Sequence, residues 1–150
     1  MSRLDDSIVN EFVATGSTYV NEFGNADDWV ELYNTGTDSI NFATTNYYIT
    51  DDSTKPDKFV INALGIGPGK YLVVSCDDSN RIVTQVHTNF GLSKTGEFIG
   101  LYKKDSHGNF VTLTNHPFGA QSSGSSEGRL PNAGPTWSTM SPSPGAANHL

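Results

Sequence analysis

Residues 27–36 read DDWVELYNTG, and the role of this stretch decides what the chain is. If it is a strand, Val30 and Leu32 fall on one face and Trp29, Glu31 and Tyr33 on the other. A carboxylate between two large rings has two readings: the acid or base of an active site, or a hydrogen-bond acceptor inside a sheet. Glycosidase-type chemistry needs a second carboxylate roughly 5–9 Å away across a cleft. No feature of the sequence supplies that partner. Glu31 is therefore expected to accept hydrogen bonds from backbone or from a neighbouring strand, screened by the rings.

Outward from this stretch the chain repeats one pattern, short β-prone runs divided by turn clusters. SIVNEFVAT (7–15) precedes it. SINFAT (39–44), YYIT (47–50), KFVIN (58–62), KYLVVSC (70–76), RIVTQVH (81–87), EFIGLYKK (97–104) and FVTLT (110–114) follow. TGTD, DDSTKPD, GIGPG, DDSN, KTG and DSHGN punctuate the gaps. Strands at such spacing, separated by such turns, predict an all-β sandwich or barrel with little or no helix. In EFIGLYKK, Ile99 and Leu101 share one face and Phe98 and Tyr102 the other. KYLVVSC is apolar on both faces, as a central strand is. Asp105–Asn109 reads as a hairpin turn with Gly108 left-handed.

Composition narrows the function classes. The chain has 150 residues, a single domain's length, with nine Lys and Arg against 16 Asp and Glu and a net charge of −7. Nucleic acids and anionic membrane surfaces are therefore not expected partners. No apolar run approaches the roughly 20 residues that span a bilayer, and MSRLDDSIVN carries no apolar signal-peptide core. The single cysteine, Cys76, allows no intrachain disulfide and is expected to pack as a small apolar residue.

Several motifs invite chemistry and fail on context. Gly124–Gly128 fits G-x-S-x-G, but Ser126 lacks the preceding strand and following helix of a nucleophile elbow. GIGPGKY (65–71) has neither P-loop spacing nor a following helix, and reads as a turn feeding a strand. His87, His107, His116 and His149 have no metal-ligand spacing. Asp pairs at 5–6, 27–28, 51–52 and 77–78 are expected to cap turns. A calcium site is the alternative, with loops 21–28 and 51–57 its first candidates. Catalytic, cofactor and metal residues are thus all expected to be none. The Gly-, Pro- and Ser-rich stretch 119–150 has the composition of a linker, against which Leu130 and Trp137 stand.

DWVELYN (28–34) resembles the D-W-(I/V)-E-(I/L)-x-N signature of lamin tail domains found in bacterial modular proteins. Asn10–Glu11 after Ile8 and Val9 resembles that family's first strand. YYITDD (47–52), KFVI (58–61), PGKYLVV (68–74) and HTNFGLSKTGE (87–97) are similar to further segments, in order. SSEGRLP (125–131), Trp137 and PSPGAAN (142–148) resemble its closing segment. Phe59 stands where Trp is frequent, and Ser143 where the family has Thr. The chain lacks lamin-rod heptads, a basic nuclear-localisation cluster and a prenylation motif, so a nuclear filament role is not carried over.

The resemblance implies an immunoglobulin-like sandwich of antiparallel strands over residues 8–148. Residues 1–7 form a flexible N-terminal segment, and 119–148 an extended closing segment along the sandwich. It also implies no active site and no cofactor. The expected role is a binding or anchoring module of a longer exported or surface bacterial protein, monomeric, with a protein or polysaccharide ligand. Tyr19, Tyr47 or Tyr48 could form its binding face. The alternatives are a calcium-dependent carbohydrate-binding or adhesive module, and a hydrolase led by Glu31 or Ser126.

Overall fold

The computed structural model describes residues 7–150. Over them the chain forms strands and no helix: β1 (Ser7–Val13), β2 (Trp29–Asn34), β3 (Ile40–Asn41), β4 (Tyr47–Thr50), β5 (Phe59–Ile61), β6 (Gly65–Ile66), β7 (Tyr71–Ser75), β8 (Arg81–Ile82), β9 (Val86–His87), β10 (Glu97–Lys104), β11 (Phe110–Phe118), β12 (Ser126–Arg129) and β13 (Trp137–Met140). The larger sheet runs β13-β12-β1-β2-β7-β9-β8 and the smaller β11-β10-β4-β5, with β3 and β6 as a separate pair. This is an all-β sandwich, as the strand pattern allows, and immunoglobulin-like, as the resemblance implies.

One core cluster joins the two sheets. Val9, Phe12, Val30, Leu32 and Val74 come from the larger sheet, and Ile49, Ile61, Ile99 and Leu101 from the smaller. Alternation sets these faces. Val30 and Leu32 turn inward from β2, which sends Trp29, Glu31 and Tyr33 to the outer face of the larger sheet. Ile99 and Leu101 turn inward from β10, which sends Phe98 and Tyr102 to the outer face of the smaller sheet. β7 sits between β2 and β9, as its two apolar faces predict. Gly108 takes a φ of 80° in the β10–β11 hairpin, the left-handed value its turn requires.

Two local departures have physical causes. RIVTQVH is not one strand but two, β8 and β9, folded against each other, so β9 runs parallel to β7 in an otherwise antiparallel sheet. The break at Thr84–Gln85 is held by Glu22, whose carboxylate accepts both backbone amides. SINFAT yields only the two residues of β3, because the Asn41 side chain accepts the Ala43 amide and its carbonyl accepts those of Thr44 and Thr45, which closes a turn. Ser7, expected in the N-terminal segment, instead opens β1 and is buried; the rest of that segment lies outside the described residues. β11 runs through Pro117, which it tolerates as an edge strand of its sheet.

Candidate functional site

Glu31 is fully buried, and the second carboxylate missing from the sequence argument stands beside it. Glu11 on β1 is its register partner, also with no exposed surface. A β-bulge between Val9 and Glu11 makes this possible. The extra residue, Asn10, lets Asn10 and Glu11 leave by the same face while Val9 and Phe12 both stay in the core. Two adjacent polar residues inside the alternating run SIVNEFV were the signal for that bulge.

Residues 143–148 cover the pair. Glu11 accepts the Ser143 amide at 2.9 Å and the Ser143 hydroxyl at 2.9 Å. Glu31 accepts the Gly145 amide at 2.7 Å and the Asn10 side-chain amide at 3.3 Å. Asn148 completes the seam. Its side-chain amide donates to the carbonyls of Asn10 and Arg129 at 2.8 and 2.9 Å, and its backbone amide donates to Asn132. Asn132 in turn accepts from Asn10 and donates to the Tyr71 hydroxyl. Burial pushes the Glu31 carboxyl up to about 8; the Gly145 amide opposes this and neighbouring Glu11 adds to it. Burial raises Glu11 as well, against hydrogen bonds from Ser126 and Ser143. The pair thus has the proximity of an acid–base dyad but no access for a substrate.

Ser126 borders the pair: it is buried at the start of β12, its hydroxyl 3.4 Å from the Met140 carbonyl and against the Glu11 carboxyl. The other sequence candidates are dispersed. Cys76 is a buried free thiol whose pKa burial raises. GIGPGKY contributes β6 and a turn in which Gly69 has a φ of 67° and the Lys70 amide donates to the Gly67 carbonyl. His107 is exposed at the β10–β11 turn and His149 near the C-terminus. His116 packs flat on Trp137, with ring centroids 3.8 Å apart, and meets Glu127 through Nε2. Arg129 also lies over the Trp137 ring, 4.6 Å from its centroid.

His87 is fully buried in β9, between Glu22 at 2.6 Å and Asp77 at 2.7 Å. Phe23 stacks on its ring and Arg81 covers Phe23. This cluster clasps the loop after β1 to the β8–β9 edge.

The Asp-rich loops use their carboxylates locally. Asp27 accepts from Asn21, Asp28 from the Leu92 amide, Asp52 from Thr54, and Asp51 pairs with Lys58 at 2.7 Å. Among the described residues no group of three or more His, Cys, Asp or Glu is placed to hold a metal ion. Asp5 and Asp6 lie outside those residues.

The exposed chemistry lies on the outer face of the smaller sheet. Tyr48, half-buried, and Tyr102, buried, are register partners there, and Phe110 meets both edge-on, at 5.5 and 6.0 Å. Lys104 sits 5.3 Å from the Tyr48 ring and 5.1 Å from Phe110. Gly100 lies beneath Phe98 and Tyr102, whose ring atoms come within 2.8 and 2.7 Å of where its Cβ would be. Of the three tyrosines expected to form a binding face, Tyr48 is half-buried on this one. Tyr47 points into the core, edge-on to Phe42, and Tyr19 leans on Trp29 at the opposite sheet. Phe110, 38% exposed, was not anticipated; its place at the mouth of a hairpin hid its pairing with Tyr48.

The sequence matches the Lamin Tail Domain family over residues 5–119. The chain belongs to that family. No curated protein matches it. In this lamin tail domain the strands that carry Glu11 and Glu31 fall within the matched span, whereas the Ser143–Asn148 segment that caps them lies beyond it. The lamin tail domain also extends its larger sheet past the match. β12 pairs with β1 and β13 with β12, so the Gly- and Ser-rich closing region is built into the sandwich. No helix among the described residues is long and apolar enough to cross a membrane.

Proposed function

We propose that this lamin tail domain is a non-catalytic binding or anchoring module of an exported or surface bacterial protein, and that its ligand contacts lie on the outer face of the smaller sheet. The observation that carries the reading is the Tyr48–Phe110–Tyr102 cluster with Lys104 over two of its rings, at a face where Phe110 is left open to solvent. Rings with polar tips, held rigidly on strands, provide contact area at low entropic cost. The carboxylates that first suggested chemistry support the same reading. Glu11 and Glu31 are sealed beneath residues 143–148 and engaged in hydrogen bonds to them. Ser126 is buried with them, its hydroxyl against the Met140 carbonyl and the Glu11 carboxyl, so it too is closed off from a substrate.

The test is retention on immobilised polysaccharides and extracellular-matrix proteins, with wild type compared to a Tyr48→Ala/Phe110→Ala double variant of unchanged melting temperature. The reading expects wild type to be retained on at least one support and the double variant to be released. Equal retention of both, or turnover of an ester, phosphate or glycoside by wild type, would overturn it.

A further inference from the structure

At one end of the aromatic face, residues 43–46 and the start of the β10–β11 turn enclose an open cleft of about 480 Å³. We propose that this cleft is a binding site for an uncharged sugar, most simply a segment of a neutral glycan chain; this rests on the binding reading above and gives it a substrate class. Its volume falls within the roughly 300–1,000 Å³ typical of small-ligand sites.

The lining has the two components that a pyranose ring requires. A sugar presents a face of C–H bonds and a rim of hydroxyls. Tyr48 supplies ring surface for the first, beside the Lys104 ammonium 5.3 Å from its centroid. Thr45, Asn46 and Ser106 supply donors and acceptors for the second. Among the described residues the side chains of these three make no hydrogen bond to the protein, and all three are exposed. Ala43 keeps one wall low.

Charge selects against ionic ligands. The cleft carries one cation, Lys104, and one anion, Asp105, adjacent in sequence. Lys104 is held over the Tyr48 and Phe110 rings, and Asp105 Oδ1 accepts the His107 and Asn109 amides. The two balance, and the chain's net charge of −7 adds long-range repulsion of polyanions. A protein ligand is the poorer fit. Stable protein interfaces bury at least about 1,000 Å² around an apolar anchor, and here the only large apolar side chain open at this face is Phe110, among the described residues.

The experiment is amide-resolved NMR titration of the intact chain with short neutral oligosaccharides of glucose, mannose and N-acetylglucosamine. A polygalacturonate oligomer serves as the anionic control. The expected result is saturable shifts at Thr45, Asn46, Lys104 and Asp105 with at least one neutral probe and none with the anionic one. Tyr48→Ala should weaken that binding at least about tenfold. Asn46→Ala, at an exposed residue between the turn at 42–44 and β4, with no side-chain hydrogen bond to lose, should weaken it without altering the melting temperature.

No saturable shift with any neutral probe at millimolar concentration, or shifts confined to another face, would overturn the assignment. So would binding indifferent to both substitutions, or binding of the anionic probe alone. If the sugar probes fail while wild type is still retained on a protein support through Tyr48 and Phe110, the glycan assignment falls and the binding reading stands. If both assays are silent, both fall.

Discussion

Glu11 and Glu31 stand opposite each other on β1 and β2, both fully buried, and both reach the same short segment of chain, at Ser143 and Gly145. Two carboxylates in a dry interior are not both ionised without a large desolvation cost. Their raised pKa values record that cost. Their oxygens meanwhile satisfy backbone amides of residues 143–148, which would otherwise have no partner beneath the outer face of the sheet. The acids that first suggested catalysis fasten the closing segment to the larger sheet.

This arrangement fixes a pH dependence. Glu31 has a folded-state pKa of about 8, above its ordinary 4.5, so it holds its proton more tightly when folded. That contribution is complete below the unfolded value and is lost as pH rises through about 8. Asp28, pushed up to about 6 by burial, acts in the same direction. Glu22 acts oppositely. The Thr84 hydroxyl foremost, with His87 and two loop amides, holds it near 2 against partial burial, so its contribution is present above 4.5 and lost as pH falls through about 2. Urea denaturation across pH should therefore show greatest stability in the mildly acidic range. Glu31→Gln, neutral and close in shape, should flatten the alkaline decline and leave the acid one. A wild-type curve that climbs from pH 4.5 to 8 contradicts this assignment.

The seam at Asn148 should be costly to open. Asn148→Ala removes the donor to the buried Asn10 carbonyl and the half-buried Arg129 carbonyl, and should cost about 1–3 kcal/mol by denaturant titration. Gly128→Ala attacks the same place from β12. Its Cβ would lie 2.9 Å from the Asn148 side-chain nitrogen and 3.1 Å from the Asn10 carbonyl oxygen, so it should destabilise by about 1–3 kcal/mol. Tolerance of both substitutions would mean that the closing segment is not held as described.

Calcium should not stabilise this domain. Four carboxylates of the two candidate loops are engaged with protein partners: Asp52 with Thr54, Asp51 with Lys58, Asp28 with Leu92 and Asp27 with Asn21. The melting temperature is expected to be the same in millimolar calcium and in chelator, since an ion bound only by the folded state would raise it. A calcium-dependent rise would return the Asp-rich loops to consideration as a binding site.

How much was legible in the sequence depended on how local the signal was. EFIGLYKK gave β10 to the residue, because alternation is a property of the run itself. RIVTQVH did not give its break, because that depends on Glu22, far away along the chain. The expectation that Glu31 accepts hydrogen bonds was open to sequence reasoning. That a second acid lies beside it was hidden by the bulge at Asn10, which shifts the register by one residue. The closing region looked like a linker by composition; only its resemblance to a family segment and the presence of Trp137 pointed to the packing it adopts. Phe110 joined Tyr48 through β4–β10–β11 pairing, a relation that no single stretch displays.

The central claim is that Glu11 and Glu31 hold the closing segment rather than act on a substrate. Residue-resolved hydrogen exchange of the Gly145 and Ser143 amides measures this most directly. Both amides should be protected to a degree comparable with the β1–β2 ladder, and Glu31→Ala should release Gly145 first. Exchange of Gly145 in wild type at the rate of an exposed loop amide would contradict the account.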